Sequence, residues 1–332
     1  MGGEKGPVCV TGGTGFIGSW LIMRLLDRGY SVRTTVRSAS SEQKKDVSFL
    51  TSLPGASERL QIFNADLSDP QSFNAPIEGC TGVFHVATPV DFEGKETEEI
   101  VTKRAIDGAL GVLQACLNSK TVKRVVYTSS GAAVVLNSNG QKIDEMDESY
   151  WSNIDFLKAS NPSGHSGSYM ISKTSTERAS LEFAEKHGLD VVTLIPSFVV
   201  GPFICPKFPS SVRTMLAMVL GDKDQYSLLL NTSLVHVDDV ARAHIFLLEC
   251  PTAKGRYICS SDVVTIEQMS QFLSARYPQF QIPTLKSLKE IRGYKIPTLS
   301  TKKLLDSGFK YKYGINEMFD EAIQCCKEKG YL

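Results

Sequence analysis

Residues 11–20, TGGTGFIGSW, follow a β-branched apolar run, PVCVTG (7–12), and open an amphipathic stretch, FIGSWLIMRLLDRG (16–29). A strand that ends in Gly12, Gly15 and Gly18 and turns at once into a helix has few folds open to it. Residues without a Cβ let the turn close tightly and let backbone approach an anion. The helix start adds unpaired N–H groups and a partial positive charge. A bare glycine triplet marks only a tight turn. Between a strand and a helix it reads as a dinucleotide-binding turn, with Gly12, Gly15, Phe16, Ile17 and Gly18 around the pyrophosphate.

The same alternation runs on to Ser197. Short apolar runs SVRTTV (31–36), LQIFNADL (60–67), TGVFHVAT (81–88), VKRVVYTSS (122–130) and DVVTLIPS (190–197) have the length of buried parallel strands. Between them lie the helical patterns IVTKRAIDGALGVLQACLNS (100–119) and GSYMISKTSTERASLEFAEKHG (167–188). Gly29 and Gly188 stand where helix C-caps belong. The implied fold is α/β: a doubly wound parallel sheet, the Rossmann dinucleotide-binding arrangement, with a smaller C-terminal α/β substrate lobe. Residues 1–195 with about 234–250 are assigned to the sheet domain. The proline-rich GPFICPKFPSS (201–211) breaks the pattern, so about 196–233 and 251–332 are assigned to the lobe.

Bulk properties narrow the partners. Of 332 residues 42% are hydrophobic, and 36 Lys and Arg balance 36 Asp and Glu. A chain with no net charge gives no electrostatic reason to expect nucleic acid or an anionic membrane. No apolar run is long enough for a membrane span, and MGGEKGPVCV has no signal-like region. Gly6 stands where a myristoylation motif wants Ser or Thr. Eight scattered cysteines without CxxC spacing fit reduced thiols in a cytoplasmic protein, with no metal site. The expected partner is a small-molecule substrate, and the expected state a monomer or weak dimer.

The end of the second strand selects the cofactor. TTVRSASSEQKK places Arg37 where a site for NAD carries Asp or Glu. A guanidinium binds a 2′-phosphate that a carboxylate would repel, so NADPH/NADP+ is expected, with Lys44 adding charge. Lys45 reads as solvated helix surface. Asp66 and Leu67 close the third run near the adenine, and Val86, Ala87 and Thr88 close the fourth near the cofactor's middle. Ordinary strand-end packing is the alternative reading of these five, with cofactor contact preferred.

Among eleven tyrosines only Tyr169 has a lysine, Lys173, at i+4. One helical turn puts both on one face. An ammonium there lowers the phenol toward a value at which it exchanges protons with a carbonyl or alcohol. VVYTSSGAA supplies Ser129 and Ser130 at the same sheet edge, one to polarise the substrate oxygen and the other to cap a turn. A surface pair is the bland reading of YxxxK. The order of glycine turn, strand-end serine and YxxxK favours an active site.

VCVTGGTGFIGSWL, GVFHVATPVDFE, VVYTSS, YMISK, PSFVVGPF and VHVDDVARAHI resemble the plant dihydroflavonol reductase branch of the extended short-chain dehydrogenases/reductases. The wider circle includes vestitone reductase, noscapine synthase and cinnamoyl-CoA reductases. The resemblance spans almost the whole chain, including CCKEKGYL at its end. It implies Ser130 as the catalytic serine, Tyr169 as proton donor and Lys173 as tyrosine tuner and ribose ligand. It also implies Arg37 and Lys44 at the 2′-phosphate, and Pro196 and Val199 beside the nicotinamide. Two departures bear on substrate. Dihydroflavonol reductases carry Asn five residues after the catalytic serine, and here Val135 stands there. The cinnamoyl-CoA reductase signature NWYCYGK is replaced by GSYMISK. Asn231 lies near a second polar substrate contact. Ketone or hemiacetal chemistry on a vestitone-, flavonoid- or alkaloid-like aromatic substrate is therefore expected. The alternatives are dihydroflavonol reduction proper, a sugar-nucleotide epimerase that retains NAD, and a non-catalytic NADP-sensing protein.

Other residues carry two readings each. Phe92, Phe198, Phe203, Met215, Met218 and Tyr226 either line an apolar pocket or pack in a core. His236 and His244 flank two aspartates; an aspartate capping the helix is preferred to a metal site. His85 reads as a core histidine, and His165 as part of a solvated loop.

Overall fold

The computed structural model describes residues 5–37, 46–89, 96–136, 143–160, 165–293 and 295–332. Twelve described strands are numbered in chain order: β1 (Val8–Thr11), β2 (Val32–Val36), β3 (Leu60–Asn64), β4 (Gly82–His85), β5 (Arg124–Thr128), β6 (Glu145–Met146), β7 (Val191–Pro196), β8 (Phe198–Val200), β9 (Asn231–His236), β10 (Gly255–Cys259), β11 (Asp262–Thr265) and β12 (Thr298–Leu299). The six long described helices are α1 (Phe16–Asp27), α2 (Glu98–Ser119), α3 (His165–His187), α4 (Val237–Glu249), α5 (Ile266–Arg276) and α6 (Ile315–Glu328).

Seven strands form one parallel sheet in the order β10-β7-β5-β4-β1-β2-β3. The two-residue period sorts their side chains. Val8, Val10, Phe84, Val126, Val192 and Leu194 face the layer of α1 and α4. Cys9, Val83, Val125, Tyr127 and Val191 join the opposite core, which α2 completes. Strands buried on both faces explain why the sequence runs are apolar throughout rather than alternating. The chain runs outward from β1 through β2 to β3, then returns across β1 to begin β4. That reversal opens a crevice at the carboxyl ends of β1 and β4, where doubly wound sheets bind ligands.

Gly29 and Gly188 end α1 and α3 at φ +78° and +65°. Tyr30 donates to Leu25 O and Leu189 to Ala184 O, the closing bonds of Schellman caps.

Strand membership departs from the expected division in two places. Gly255–Cys259, in the stretch assigned to the lobe, pairs with β7 and forms one edge of the seven-stranded sheet. A five-residue run in a turn-rich tail carries too little periodicity to reveal its partner, Val191–Pro196, so far back in sequence. Asn231–His236, whose end was assigned to the sheet domain, instead lies between β8 and β11 in a separate three-stranded sheet. The lobe's core gathers around that small sheet from Phe203, Met215, Met218, Tyr226, Leu273 and Phe319. Of the residues left between pocket and core, Phe203, Met215, Met218 and Tyr226 are thus core. A parallel pair, β12 with β6, ties the lobe's late chain to the segment before α3.

Candidate active site

At the crevice Gly12 and Gly18 of the glycine turn have no room for a side chain. Gly12 sits at φ +75°, and a Cβ on it would lie 2.9 Å from the Ala87 Cα at the end of β4. A Cβ on Gly18 would lie 2.4 Å from the Gly12 carbonyl, so α1 packs directly on the turn. Gly15 is the N-cap of α1, whose first turn has no acidic residue and no side-chain cap. The N–H groups at Phe16, Ile17 and Gly18 are left for an anion, as a dinucleotide pyrophosphate requires. Gly13, outside the triplet, is equally constrained: its Cβ would fall 2.1 Å from the Thr34 hydroxyl.

The neighbouring strand ends converge on this turn. Gly13 N–H donates to Thr35 O (3.0 Å) and Gly12 N–H to the Thr35 hydroxyl (3.3 Å), holding the end of β2 beside it. Arg37, exposed, is the first residue past that strand. Asp66 turns the chain after β3 by accepting from Ser68 N–H, and Leu67 packs against Gly108 of α2. The N–H groups of Val86 and Ala87 both donate to the Thr11 hydroxyl (3.1 and 3.0 Å). That hydroxyl gives its proton to His85 Nδ1 (2.8 Å), so the buried imidazole carries its own proton on Nε2. Burial, aided by the charge of Lys173, pushes His85 down to about 3. Lys44 and Phe92 lie outside the described residues, as do Lys45 and the side chain of His165.

On the far side of the crevice stand Ser130, Tyr169 and Lys173. Ser130 follows β5 and caps the short turn Gly131–Ala133, its Oγ accepting from Ala132 N–H (3.2 Å). Ser129 does not cap a turn; its hydroxyl donates to Glu177 Oε2 (2.6 Å). Lys173 is 4% exposed and donates to the Thr88 hydroxyl (2.8 Å) and to Thr128 O (2.9 Å), so it bridges the ends of β4 and β5. Burial pushes this ammonium down to about 8, while Glu177 opposes the change. Burial raises the Tyr169 phenol, and a hydrogen bond with Ser130 works against it. The phenol thus lies above its ordinary value, not below it as helical spacing alone suggested, because desolvation outweighs the Ser130 hydrogen bond.

Beneath these groups lies a buried polar layer. Thr128 donates its hydroxyl to His244 Nε2 (2.7 Å), and His244 Nδ1 donates to Val240 O (2.8 Å). Burial holds His244 down at about 4. His236, not an aspartate, caps α4 by accepting from Asp238 N–H (3.0 Å). Asp238 is taken up by Trp20 and Arg24, and Asp239 accepts from the N–H groups of Lys312 and Tyr313. A strand-end histidine already in position leaves the aspartates free for these longer-range bonds. Glu177 continues the Tyr169–Lys173 spacing by one more turn. That i+8 carboxylate was readable in the sequence; its partner Arg256 was not.

The expected pocket residues lie apart. Val135, 5% exposed, packs with Val134, Met146, Ile195, Ile258 and Leu299. Tyr226 is buried in the lobe core. Asn231 spends its amide on Ile296 O (2.6 Å), fastening the chain before β12. Pro196 closes β7 with its carbonyl near Gly131, and Val199 is buried on β8. Among the described residues no group of three His, Cys, Asp or Glu is placed to hold a metal, and no helix is long and apolar enough to cross a membrane.

A nicotinamide-dinucleotide crevice with a Ser-Tyr-Lys set on its far wall is the mark of a dehydrogenase or reductase. The family described as NAD dependent epimerase/dehydratase matches residues 8–259, and the chain belongs to it as an NAD(P)-dependent oxidoreductase. Within it the chain stands in the plant branch of dihydroflavonol and vestitone reductases. Vestitone reductase of Medicago sativa is 60% identical over 332 residues, covering 100% of both chains. Noscapine synthase of Papaver somniferum is 50% identical over 337 residues, covering 100% of this chain and 95% of the other. The crystal structure of the alfalfa vestitone reductase superposes with a TM-score of 0.89 at 58% identity, over 99% of this chain and 100% of that one.

Proposed function

We propose that this protein is an NADPH-dependent reductase of a ketone, or an oxidoreductase of a hemiacetal, on an isoflavonoid-, flavonoid- or alkaloid-like aromatic substrate. The observation that carries the reading is buried Lys173, one helical turn from Tyr169 and bonded to Thr88 and Thr128, beside Ser130 at the switch-point crevice. Likeness to vestitone reductase and noscapine synthase supports the substrate class.

Each residue has a task. The turn from Gly12 to Gly18 holds the pyrophosphate, with Asp66, Leu67, Val86, Ala87 and Thr88 along the rest of the dinucleotide. Arg37 takes the 2′-phosphate with Lys44, and Pro196 and Val199 bound the nicotinamide. The reduced nicotinamide, when bound, supplies the hydride. Tyr169 delivers a proton to the substrate oxygen. Ser130 receives Ala132 N–H on its oxygen, which leaves its own proton to donate to that same oxygen. Lys173 keeps a positive charge beside the phenol, offsetting the burial that makes the phenol a weaker acid. The lobe is assigned to the aromatic part of the substrate. Eight free thiols, seven of them buried, suit a cytoplasmic protein, working as a monomer or weak dimer.

The test is a screen of purified protein with NADPH against isoflavonoid, flavonoid and alkaloid carbonyl compounds, following absorbance and identifying products. One NADP+ released per product is expected. Interconversion of sugar-nucleotide epimers without net release would overturn the reading.

A further inference from the structure

Glu177 is wholly buried, and its carboxylate is surrounded by donors from three strands or strand ends. Ser129, just past β5, donates to Oε2 (2.6 Å) and Thr193 of β7 to Oε1 (2.7 Å). Arg256 of β10 grips both oxygens, Nε on Oε1 (2.9 Å) and a terminal nitrogen on Oε2 (3.2 Å). The guanidinium, itself 7% exposed, lies 3.6 Å above the Trp151 ring and donates to the carbonyls of Glu148 and Tyr150. A buried ion pair contributes little net stability against an apolar replacement, so stability alone is a weak reason for it here.

We propose that Glu177 is a positioning residue of the reductase site: clamped by Arg256, Ser129 and Thr193, it fixes the α3 turn that carries Lys173 and the strand end that carries Ser130 in one frame, and supplies the negative charge that keeps Lys173 an ammonium. The inference rests on the proposed role of Lys173. The hydrogen-bond partners of Lys173, the Thr88 hydroxyl and the Thr128 carbonyl, are neutral oxygens. The other groups facing it do not supply that charge. His85 of β4 is held neutral, Tyr127 of β5 lies beneath at 5.5 Å, and Tyr169 shares its helix. The buried residues of α2 carry no formal charge, and Asp155 and Lys158 of the neighbouring short helix Ile154–Ser160 are exposed.

The test is the alkaline limb of the kcat–pH profile. Glu177→Gln keeps the side-chain shape and one acceptor oxygen but removes the charge, so Lys173 deprotonates at lower pH and the limb moves acidward by about one unit. Glu177→Asp should return it most of the way. Because Glu177→Gln strands a buried guanidinium, the double variant Glu177→Gln/Arg256→Gln, which strands no charge, decides the matter where the single one fails to fold. A uniform drop in kcat with the limb unmoved, in either variant, would reduce Glu177 to a scaffold residue and overturn the inference. Full activity in Tyr169→Phe would instead remove the proposed chemistry itself, so the two failures are distinguishable.

Discussion

Around the glycine turn, partners in space are near in sequence or joined by regular strand pairing. Gly12 meets Thr35 and Ala87, and each of these closes the next strand along. In the lobe the partners are distant and irregular. Phe203 exchanges hydrogen bonds with Cys325, 122 positions on, and packs edge-on against Phe16 and face-on with Phe208. The cofactor half repeats one local unit and needs only small residues at fixed offsets. The lobe needs particular side-chain shapes brought from several stretches, and no offset rule describes them.

The sharpest way to break that contrast is at the chemistry. Tyr169→Phe keeps the ring and removes the proton donor, so kcat should fall ~10²–10⁴-fold while NADPH binding persists. Turnover within a few-fold of wild type would return Tyr169 to the status of a helix-face residue. Next in size, Phe319→Ala empties a fully buried site in the lobe and should cost about 3–5 kcal/mol in denaturant unfolding. Since β10 belongs to the main sheet, one transition is expected; two would mean that the halves are separate after all. Arg37→Ala removes a charge-assisted contact worth roughly 1.5–3 kcal/mol, so KM for NADPH should rise roughly 10–100-fold with NADH use unchanged. Equal losses with both cofactors would contradict the 2′-phosphate assignment.

Val135→Asn tests the border between the halves. Val135 sits in an apolar cluster, so the amide should lose about 1–3 kcal/mol of stability for want of partners. A stable variant with improved turnover of catechol substrates would mean that the position opens to the substrate. The smallest effect is on pH. Burial keeps His85, His236 and His244 neutral, at about 3, 4 and 4, whereas the unfolded imidazoles bind protons near 6.5. The unfolded chain therefore holds more protons below 6.5, and stability present above that pH declines as pH falls. Tm should drop by a few degrees between pH 7 and 5.5, and His244→Asn should flatten the slope. A level Tm would show those imidazoles free to titrate.

Reading the residues in order recovered the parts of the fold that local spacing governs. Gly12, Gly15 and Gly18, the six strands of the main sheet up to Pro196, and the C-caps at Gly29 and Gly188 all announce themselves within a few positions. The order of motifs pointed to Tyr169 and Lys173, whereas the choice of Ser130 over Ser129 came from the family resemblance. What stayed hidden depends on pairing across long separations. GRYIC has no neighbour in sequence that marks it as an edge of the main sheet. Val135 and Asn231 sit near family contact positions, yet a substrate role and a packing role leave the same letters in the chain. The depth of burial around Tyr169, which raises rather than lowers its phenol, is a property of the assembled site and not of an i+4 interval.

The pairing of Glu177 with Arg256 also has a consequence for the order of synthesis. The two are separated by 79 positions. At roughly 5–20 residues per second on a ribosome, the carboxylate is made roughly 4–16 s before its guanidinium. Until then the helix that bears Tyr169 and Lys173 lacks the strand that clamps it. The nascent chain holds every proposed catalytic residue well before it holds a finished site.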